Sequence, residues 1–303
     1  MPNTTLRFWN QDLELGGDYL GELRESQADA DVGELRARMD EDGYLFIRGL
    51  HHRDDVLAAR RELLDRLHSA KALDPYASLM DGIIGPAGQP SWMEAFHRGE
   101  GATKGPAFLA LVEGRPVMDF FARFFDRPVL TFDFKWLRVV GRGEFTSAHL
   151  DNVYMGRGSP NLHSVWTPIG DTSMDMGALA LIPGSHRLES YARVRETYGR
   201  MDVDRDNVDG AFTDTPTELI DRFGGRWATA DFRAGDALIF SMFTMHGSLT
   251  NTTDRFRISC DTRYQPSDEP VDERWVGEKP KAHYAWRQTP SVPMGEARKR
   301  WGV

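Results

Sequence analysis

The spacing of apolar positions changes near residue 128. Over residues 54–69, Val56, Leu57, Leu63, Leu64 and Leu67 recur at helical spacing with arginine and glutamate on the other side, which predicts an amphipathic helix. Just before it, Gly43-Tyr44-Leu45-Phe46-Ile47-Arg48-Gly49 is a short aromatic and β-branched run closed by glycine at both ends, the pattern of a strand. Residues 106–125 again carry a helical pattern, broken at Gly114-Arg115-Pro116. From Pro128 onward short β-type runs alternate with Gly, Pro, Asn and Asp, and strands are expected at 129–140, 146–155, 164–169, 178–182, 237–243 and 256–265. Strands at such intervals, with no helices between them, argue for a sandwich or barrel rather than a doubly wound parallel sheet. Residues 187–227 are charged and partly helical, at 216–223, and read as an insertion between strands. The expectation is one domain over 1–303, mainly β with flanking helices. It comprises a mostly helical part over 1–127, a β core over 128–270 with its 187–227 insertion, and a C-terminal extension over 271–303.

Charge narrows the partners. The chain has 37 Lys+Arg against 46 Asp+Glu, a formal net charge of −9, and no basic cluster, so nucleic acid is not expected and a small molecule is. An apolar content of 40% with 11% aromatics is enough for a buried core and excludes disorder as the main state. One cysteine, Cys260, excludes an internal disulfide, a thiolate metal cage and a Cys-x-x-Cys redox pair. No signal-like or membrane-spanning apolar run is visible, so the expectation is a cytoplasmic protein with no membrane partner; nothing in the sequence sets its oligomeric state.

The chemistry concentrates in Ser147-Ala148-His149-Leu150-Asp151. On a strand, side chains two apart share a face, so His149 and Asp151 can reach one metal ion. His246, after the strand-like Asp236-Ala237-Leu238-Ile239-Phe240, can supply a third ligand. Two histidines and a carboxylate on one face of an octahedron leave three positions open, as in non-haem Fe(II) oxygenases. Taken alone, His-x-Asp also fits a hydrogen-bonded surface pair. Arg257, eleven residues after His246, strengthens the metal reading, because a guanidinium there can bind a cosubstrate carboxylate through two parallel hydrogen bonds, with the Ser248 hydroxyl as a further donor. Arg257, Ser259, Asp261 and Arg263 share one face of their strand, which makes any lumen on that side polar.

In order along the chain come Asp42-Gly43-Tyr44-Leu45-Phe46-Ile47-Arg48-Gly49, His149-Leu150-Asp151, Trp166-Thr167-Pro168-Ile169 and Gly177-Ala178-Leu179-Ala180-Leu181-Ile182-Pro183-Gly184-Ser185-His186. Gly235-Asp236-Ala237-Leu238-Ile239-Phe240, His246-Gly247-Ser248 and Arg257 follow. With these elements, spanning roughly residues 40–265, the sequence resembles the phytanoyl-CoA dioxygenase family of Fe(II)/2-oxoglutarate oxygenases, which includes ectoine hydroxylase and natural-product tailoring enzymes. The resemblance implies a double-stranded β-helix, a cupin-like jelly-roll barrel. It implies Fe(II) held by His149, Asp151 and His246, the distal carboxylate of 2-oxoglutarate held by Arg257 and Ser248, and Trp166 beside that cosubstrate. The implied reaction consumes O2 and 2-oxoglutarate, releases succinate and CO2, and hydroxylates an unactivated C–H bond of a small metabolite or natural-product intermediate. Leu150 stands where many relatives carry Gln, and Asp151 stands where halogenating relatives carry a small residue, which favours oxygen transfer.

Other residues are open to more than one reading. His186, after Pro183-Gly184, reads as structural; His163 is either a solvated loop residue or part of the mouth of the site. His51, His52 and His68 read as surface residues and Cys260 as a buried thiol. Asp133 and Lys135 offer charges to a substrate or form an external ion pair. Residues 81–105, with Trp92, Met93 and Phe96, read as a lid or a plain connection, and Tyr154, Met155 and Arg263 are further candidates for lining the pocket. No Lys/Arg cluster suits the phosphates of coenzyme A. The competing functions are a jelly-roll isomerase, epimerase or hydrolase, and a non-catalytic ligand-binding barrel; Arg257 and Ser248 separate them from the oxygenase.

Overall fold

The structure, a computed structural model, describes residues 4–86, 101–283 and 289–303. Residues 5–26 carry strands β1 (Thr5–Phe8), β2 (Gln11–Glu14), β3 (Leu20–Glu22) and β4 (Glu25–Ser26), where mostly helix was expected. Helix α1 (Val32–Asp42), strand β5 (Tyr44–Ile47) and helices α2 (Arg53–Ser69), α3 (Pro106–Val112) and α4 (Arg115–Phe125) follow. The β-rich part holds β6 (Val129–Thr131), β7 (Trp136–Val140), the short helix α5 (Asn152–Met155), β8 (His163–Pro168) and β9 (Leu179–Leu181). The expected insertion carries α6 (Ala192–Glu196) and α7 (Pro216–Phe223), and β10 (Trp227–Thr229), β11 (Ala237–Ser241), β12 (His246–Ser248), β13 (Arg257–Pro266) and α8 (Met294–Trp301) complete the chain.

Local chemistry explains several boundaries. Helix α1 starts where the Asp31 carboxylate accepts from the amides of Gly33 and Glu34, and it ends at Gly43, whose φ of 76° is left-handed. A Cβ at Gly43 would meet His186 Nδ1 at 2.5 Å and Thr244 Oγ1 at 2.6 Å, so only glycine lets the chain turn directly into β5. The strand expected over 129–140 is split into β6 and β7. The break comes where Lys135 turns inward to pair with Glu113 at 3.0 Å and Asp133 accepts from the Gly277 amide at 2.6 Å. The strand expected over 146–155 is reduced to bridges at Ala148 and His149, after which α5 begins.

The main sheet runs β4-β5-β11-β8-β13-β6, with β7 on the same edge of β13 as β6; a smaller sheet runs β12-β9-β10-β3. Strand alternation gives the main sheet two different faces. Leu45, Ile47, Val165, Ala237, Ile239 and Tyr264 pack on α1 and α4, while Leu137, Val139, Ile258 and Cys260 pack on α2 and α3. At roughly 1.5–3 kcal/mol for each large apolar side chain removed from water, this helical layer is a principal source of stability. The other face carries Tyr44, Phe46, Trp166, Leu238 and Phe240 at one end, joined to the core that the smaller sheet, α7 and α8 share, and the polar Arg257, Ser259, Asp261 and Arg263 at the other. Among the described residues the sheets with flanking helices do not close into a continuous barrel. The isolated His149–His246 bridge attaches the segment before α5 to β12 of the smaller sheet.

Candidate metal centre

His149 and His246 are brought opposite each other by backbone hydrogen bonds: the His149 amide donates to the His246 carbonyl at 2.9 Å, and the reverse bond is 3.1 Å. Their rings lie 4.1 Å apart. Each ring places Nδ1 on the carbonyl two residues earlier, Ser147 at 2.8 Å and Thr244 at 3.0 Å, which fixes Nδ1 as the protonated nitrogen and leaves both Nε2 atoms as donors to a metal. The glycine between His246 and Ser248 is required by close approach, since a Cβ on Gly247 would lie 2.8 Å from the Thr146 carbonyl oxygen. Trp9, from the N-terminal strands, donates to the carbonyls of Thr146 and Ser248 at 3.1 and 2.9 Å and so ties the two histidine segments together.

Asp151 reaches the same point from the N-terminus of α5 rather than from a strand. Its Oδ1 lies 3.7 Å from His149 Nε2 and 3.8 Å from His246 Nε2; one donor atom from each of the three residues falls within 4.8 Å of the others. Its Oδ2 accepts from Arg263 at 3.0 Å and from the Ser164 hydroxyl. Burial pushes this carboxyl's pKa up, but Arg263, the two histidines and Ser164 outweigh it and hold the group ionised. Burial, reinforced by His246, lowers His149 to about 3, and burial lowers His246 as well. Two neutral imidazoles and one carboxylate are the protonation states a divalent ion needs.

Arg257 is almost wholly buried on β13, on the strand face it shares with Arg263. Its Nη1 donates to Ser259 at 2.5 Å, whereas Nε and Nη2 have no acceptor, and the indole Nε1 of Trp166, whose ring lies 5.8 Å from the guanidinium, has none either. Burial and the nearby Arg138 lower Arg257 to about 9. A buried guanidinium edge without an acceptor is costly, and a carboxylate is its natural complement. The Ser248 hydroxyl accepts from the Thr146 amide at 2.9 Å and retains its own proton to donate. The donor set therefore fits a metal ion held by nitrogen and oxygen beside an acid.

The structure assigns the remaining candidates. A cavity of about 310 Å3 opens over His149 and Asp151, lined also by Trp136, Arg138, Phe145, Tyr154, Ala211, Arg263 and His283. Tyr154 and Arg263 thus lie in the site, while Met155 is buried in a neighbouring apolar cluster. Leu150 points into the core. His163 packs among Phe121, Phe124 and Phe125 on the helix side of the sheet, and His186 holds the Asp40 carbonyl at 3.0 Å; neither meets the centre. The external pair expected between Asp133 and Lys135 does not form: Lys135 is buried and pairs with Glu113 at 3.0 Å, and Asp133 accepts from the Gly277 amide. His51 is a correction, for it is buried beside Thr167 at 3.4 Å, not on the surface. Cys260 is buried as expected. Trp92, Met93 and Phe96 lie outside the described residues, so the expected lid does too. Sequence reasoning missed Ser164, Arg138, Phe145 and His283. Only Ser164 had a readable signal, its shared strand parity with Trp166.

The phytanoyl-CoA dioxygenase family matches residues 39–259 of the chain. A 1-deoxypentalenic acid 11-beta-hydroxylase of Streptomyces exfoliatus is 25% identical over 242 residues, 75% of this chain and 79% of that protein. An ectoine dioxygenase of Stutzerimonas stutzeri is 24% identical over 276 residues, 87% of this chain and 86% of that protein. The solved structure of EctD from S. alaskensis with 2-oxoglutarate and 5-hydroxyectoine is similar with a TM-score of 0.54 at 19% identity, covering 89% of this chain and 88% of that one.

Proposed function

Since the chain belongs to the phytanoyl-CoA dioxygenase family and is an iron- and 2-oxoglutarate-dependent dioxygenase, we propose that it hydroxylates an unactivated C–H bond of a small metabolite or natural-product intermediate. In this reading His149, Asp151 and His246 hold Fe(II), and Arg257, Ser248 and Trp166 receive 2-oxoglutarate. On the same reading the two sheets with their flanking helices are a version of the double-stranded β-helix of that family, and the His-Asp-His cluster would hold the metal beside β12. The single observation that carries the residue assignment is the buried edge of Arg257, whose Nε and Nη2 lack acceptors in a chain that also assembles a buried His-Asp-His cluster.

Bound there, Fe(II) supplies dioxygen activation coupled to decarboxylation of 2-oxoglutarate to succinate and CO2. The protein contributes position and charge. His149 and His246 present Nε2 because Ser147 and Thr244 hold the opposite ring nitrogens. Arg263 and Ser164 occupy Asp151 Oδ2, so the carboxylate offers Oδ1 alone and is kept from chelating through both oxygens. That restraint preserves coordination positions for the reactants. Arg257 sets the depth and register of the cosubstrate, and the aromatic walls formed by Trp136, Tyr154 and Phe145 shield the centre from water. The lone cysteine, buried Cys260, accords with a cytoplasmic setting.

Succinate release tests the reading. Purified protein with Fe(II), ascorbate and 2-oxoglutarate is expected to form succinate at a rate that rises when a true substrate is added, while His149→Ala forms none above buffer. Equal rates from the two proteins under every condition would overturn it.

A further inference from the structure

Charge around the cavity is unequal, and its sign points to a class of substrate. Among the described residues the charged groups lining it are Asp151 against Arg138 and Arg263, and buried Asp261 and Arg257 share the strand face of Arg263. Arg138 is matched by Asp261 at 2.6 Å and Arg263 by Asp151 at 3.0 Å, which leaves one positive charge in excess. Glu144, next to Phe145 of the lining, is half-exposed and accepts from the Gly141 amide at 2.7 Å, and Arg142 on the same turn is exposed; solvent screens both. Loading the site with a dication and the dianion 2-oxoglutarate changes the sum by zero. It moves the excess, however. The distal carboxylate matches Arg257, the metal draws on the charge of Asp151, and Arg263 becomes the cation without a full counter-charge.

Arg263 is built to meet an incoming anion. It is 4% exposed, its Nε is buried without an acceptor, and its guanidinium lies 5.3 Å from the centroid of the Trp136 ring on the cavity wall. A buried charge left in this state is costly, and a small anion in the cavity offsets that cost. The cavity volume of about 310 Å3 lies at the low end of ligand sites, and Trp136, Phe145, Tyr154 and His283 surround it with aromatic surface. Resting on the oxygenase reading, we propose that the substrate is a compact, largely apolar molecule bearing one carboxylate, which docks on Arg263 beside the Trp136 face. The C–H bond to be oxidised then lies on the apolar body of the substrate, away from the carboxylate.

Binding, not turnover, tests this. The full chain loaded anaerobically with Fe(II) and 2-oxoglutarate is titrated by calorimetry with cyclohexanecarboxylate, benzoate and indole-3-carboxylate, each beside its primary amide, which keeps the shape and removes the charge. At least one acid is expected to bind tenfold or more tightly than its amide, with that preference lost in Arg263→Gln and restored in Arg263→Lys. Absence of any acid preference in the wild-type protein, whether through equal binding or no binding, overturns the proposal, as does a preference that survives Arg263→Gln. If Arg263→Gln does not take up 2-oxoglutarate, the wild-type acid-to-amide ratio and Arg263→Lys decide. Wild-type protein that fails to bind 2-oxoglutarate in the same cell sinks the oxygenase reading instead.

Discussion

Replacing Arg257 with methionine separates its binding role from a structural one. The side chain is 1% exposed, and two of its nitrogens have no acceptor. Its burial, with Arg138 nearby, lowers the guanidinium from 12.5 to about 9, so holding it charged without a counter-ion costs on the order of 5 kcal/mol relative to water. An apolar side chain of similar length removes that cost. Arg257→Met without cosubstrate is therefore expected to unfold in urea at the same or a higher midpoint, with a gain of up to about 4 kcal/mol by analogy with buried ions exchanged for apolar residues. Cosubstrate affinity goes the other way. Loss of one partner of a buried, hydrogen-bonded charge pair costs about 2–5 kcal/mol, so the 2-oxoglutarate Kd should rise about 30- to 4,000-fold. Calorimetry with the metal-loaded protein gives Kd, and metal affinity, set by residues Arg257 does not touch, should stay within about threefold of wild type. A variant that loses several kcal/mol of stability while keeping its 2-oxoglutarate affinity would refute the reasoning, because Arg257 would then be a structural ion.

Three further outcomes follow from the geometry. Ser164→Ala removes one of the two groups holding Asp151 Oδ2 and should weaken Fe(II) binding about 10- to 100-fold with little change in melting temperature; unchanged affinity in a metal-competition titration would show that Arg263 suffices. Arg274 is fully buried against Asp272 at 2.6 Å and Asp204 at 2.7 Å, so Arg274→Met leaves buried acids unmatched and should cost about 3–5 kcal/mol in urea unfolding; a cost below 1 kcal/mol would contradict that role. Burial lowers His51 from 6.5 to about 4, which makes it neutral in the fold and easier to protonate when unfolded. Its contribution is complete above pH 6.5 and fades as pH falls towards 4, a loss of about 3 kcal/mol, and His51→Asn should flatten that part of the stability curve.

Much of the site could be read from residue order, because the chemistry sits in short segments. His149-Leu150-Asp151, His246-Gly247-Ser248 and Arg257 stand out by local spacing, and the structure gathers His149, Asp151 and His246 at one place. The reason first offered for the His-Asp pair was only half right. Strand parity would place both side chains on one face, but only isolated bridges form at Ala148 and His149, and the turn into α5 carries Asp151 to the histidines. Spacing alone cannot distinguish these two routes. The early strands escaped notice because β3 and β4 are two or three residues long and owe their existence to pairing with β10 and β5, contacts more than 20 residues away in sequence. His51 misled for a similar reason: a polar residue beside a helix start reads as solvated unless the neighbour that covers it, Thr167, is known. The roles of Ser164 and Arg263 at Asp151 depend on tertiary contacts between β8, β13 and α5, which no local pattern encodes.

The central claim is that His149, Asp151 and His246 hold the iron and that Arg257 receives the cosubstrate behind it. Anomalous diffraction at the iron edge, from crystals grown without oxygen in Fe(II) and 2-oxoglutarate, tests it most directly. A single strong peak in contact with both histidine Nε2 atoms and with Asp151 Oδ1, accompanied by a carboxylate against Nε and Nη2 of Arg257, is the predicted result. Iron bound elsewhere, or 2-oxoglutarate bound with Arg257 still lacking an acceptor, would contradict the account.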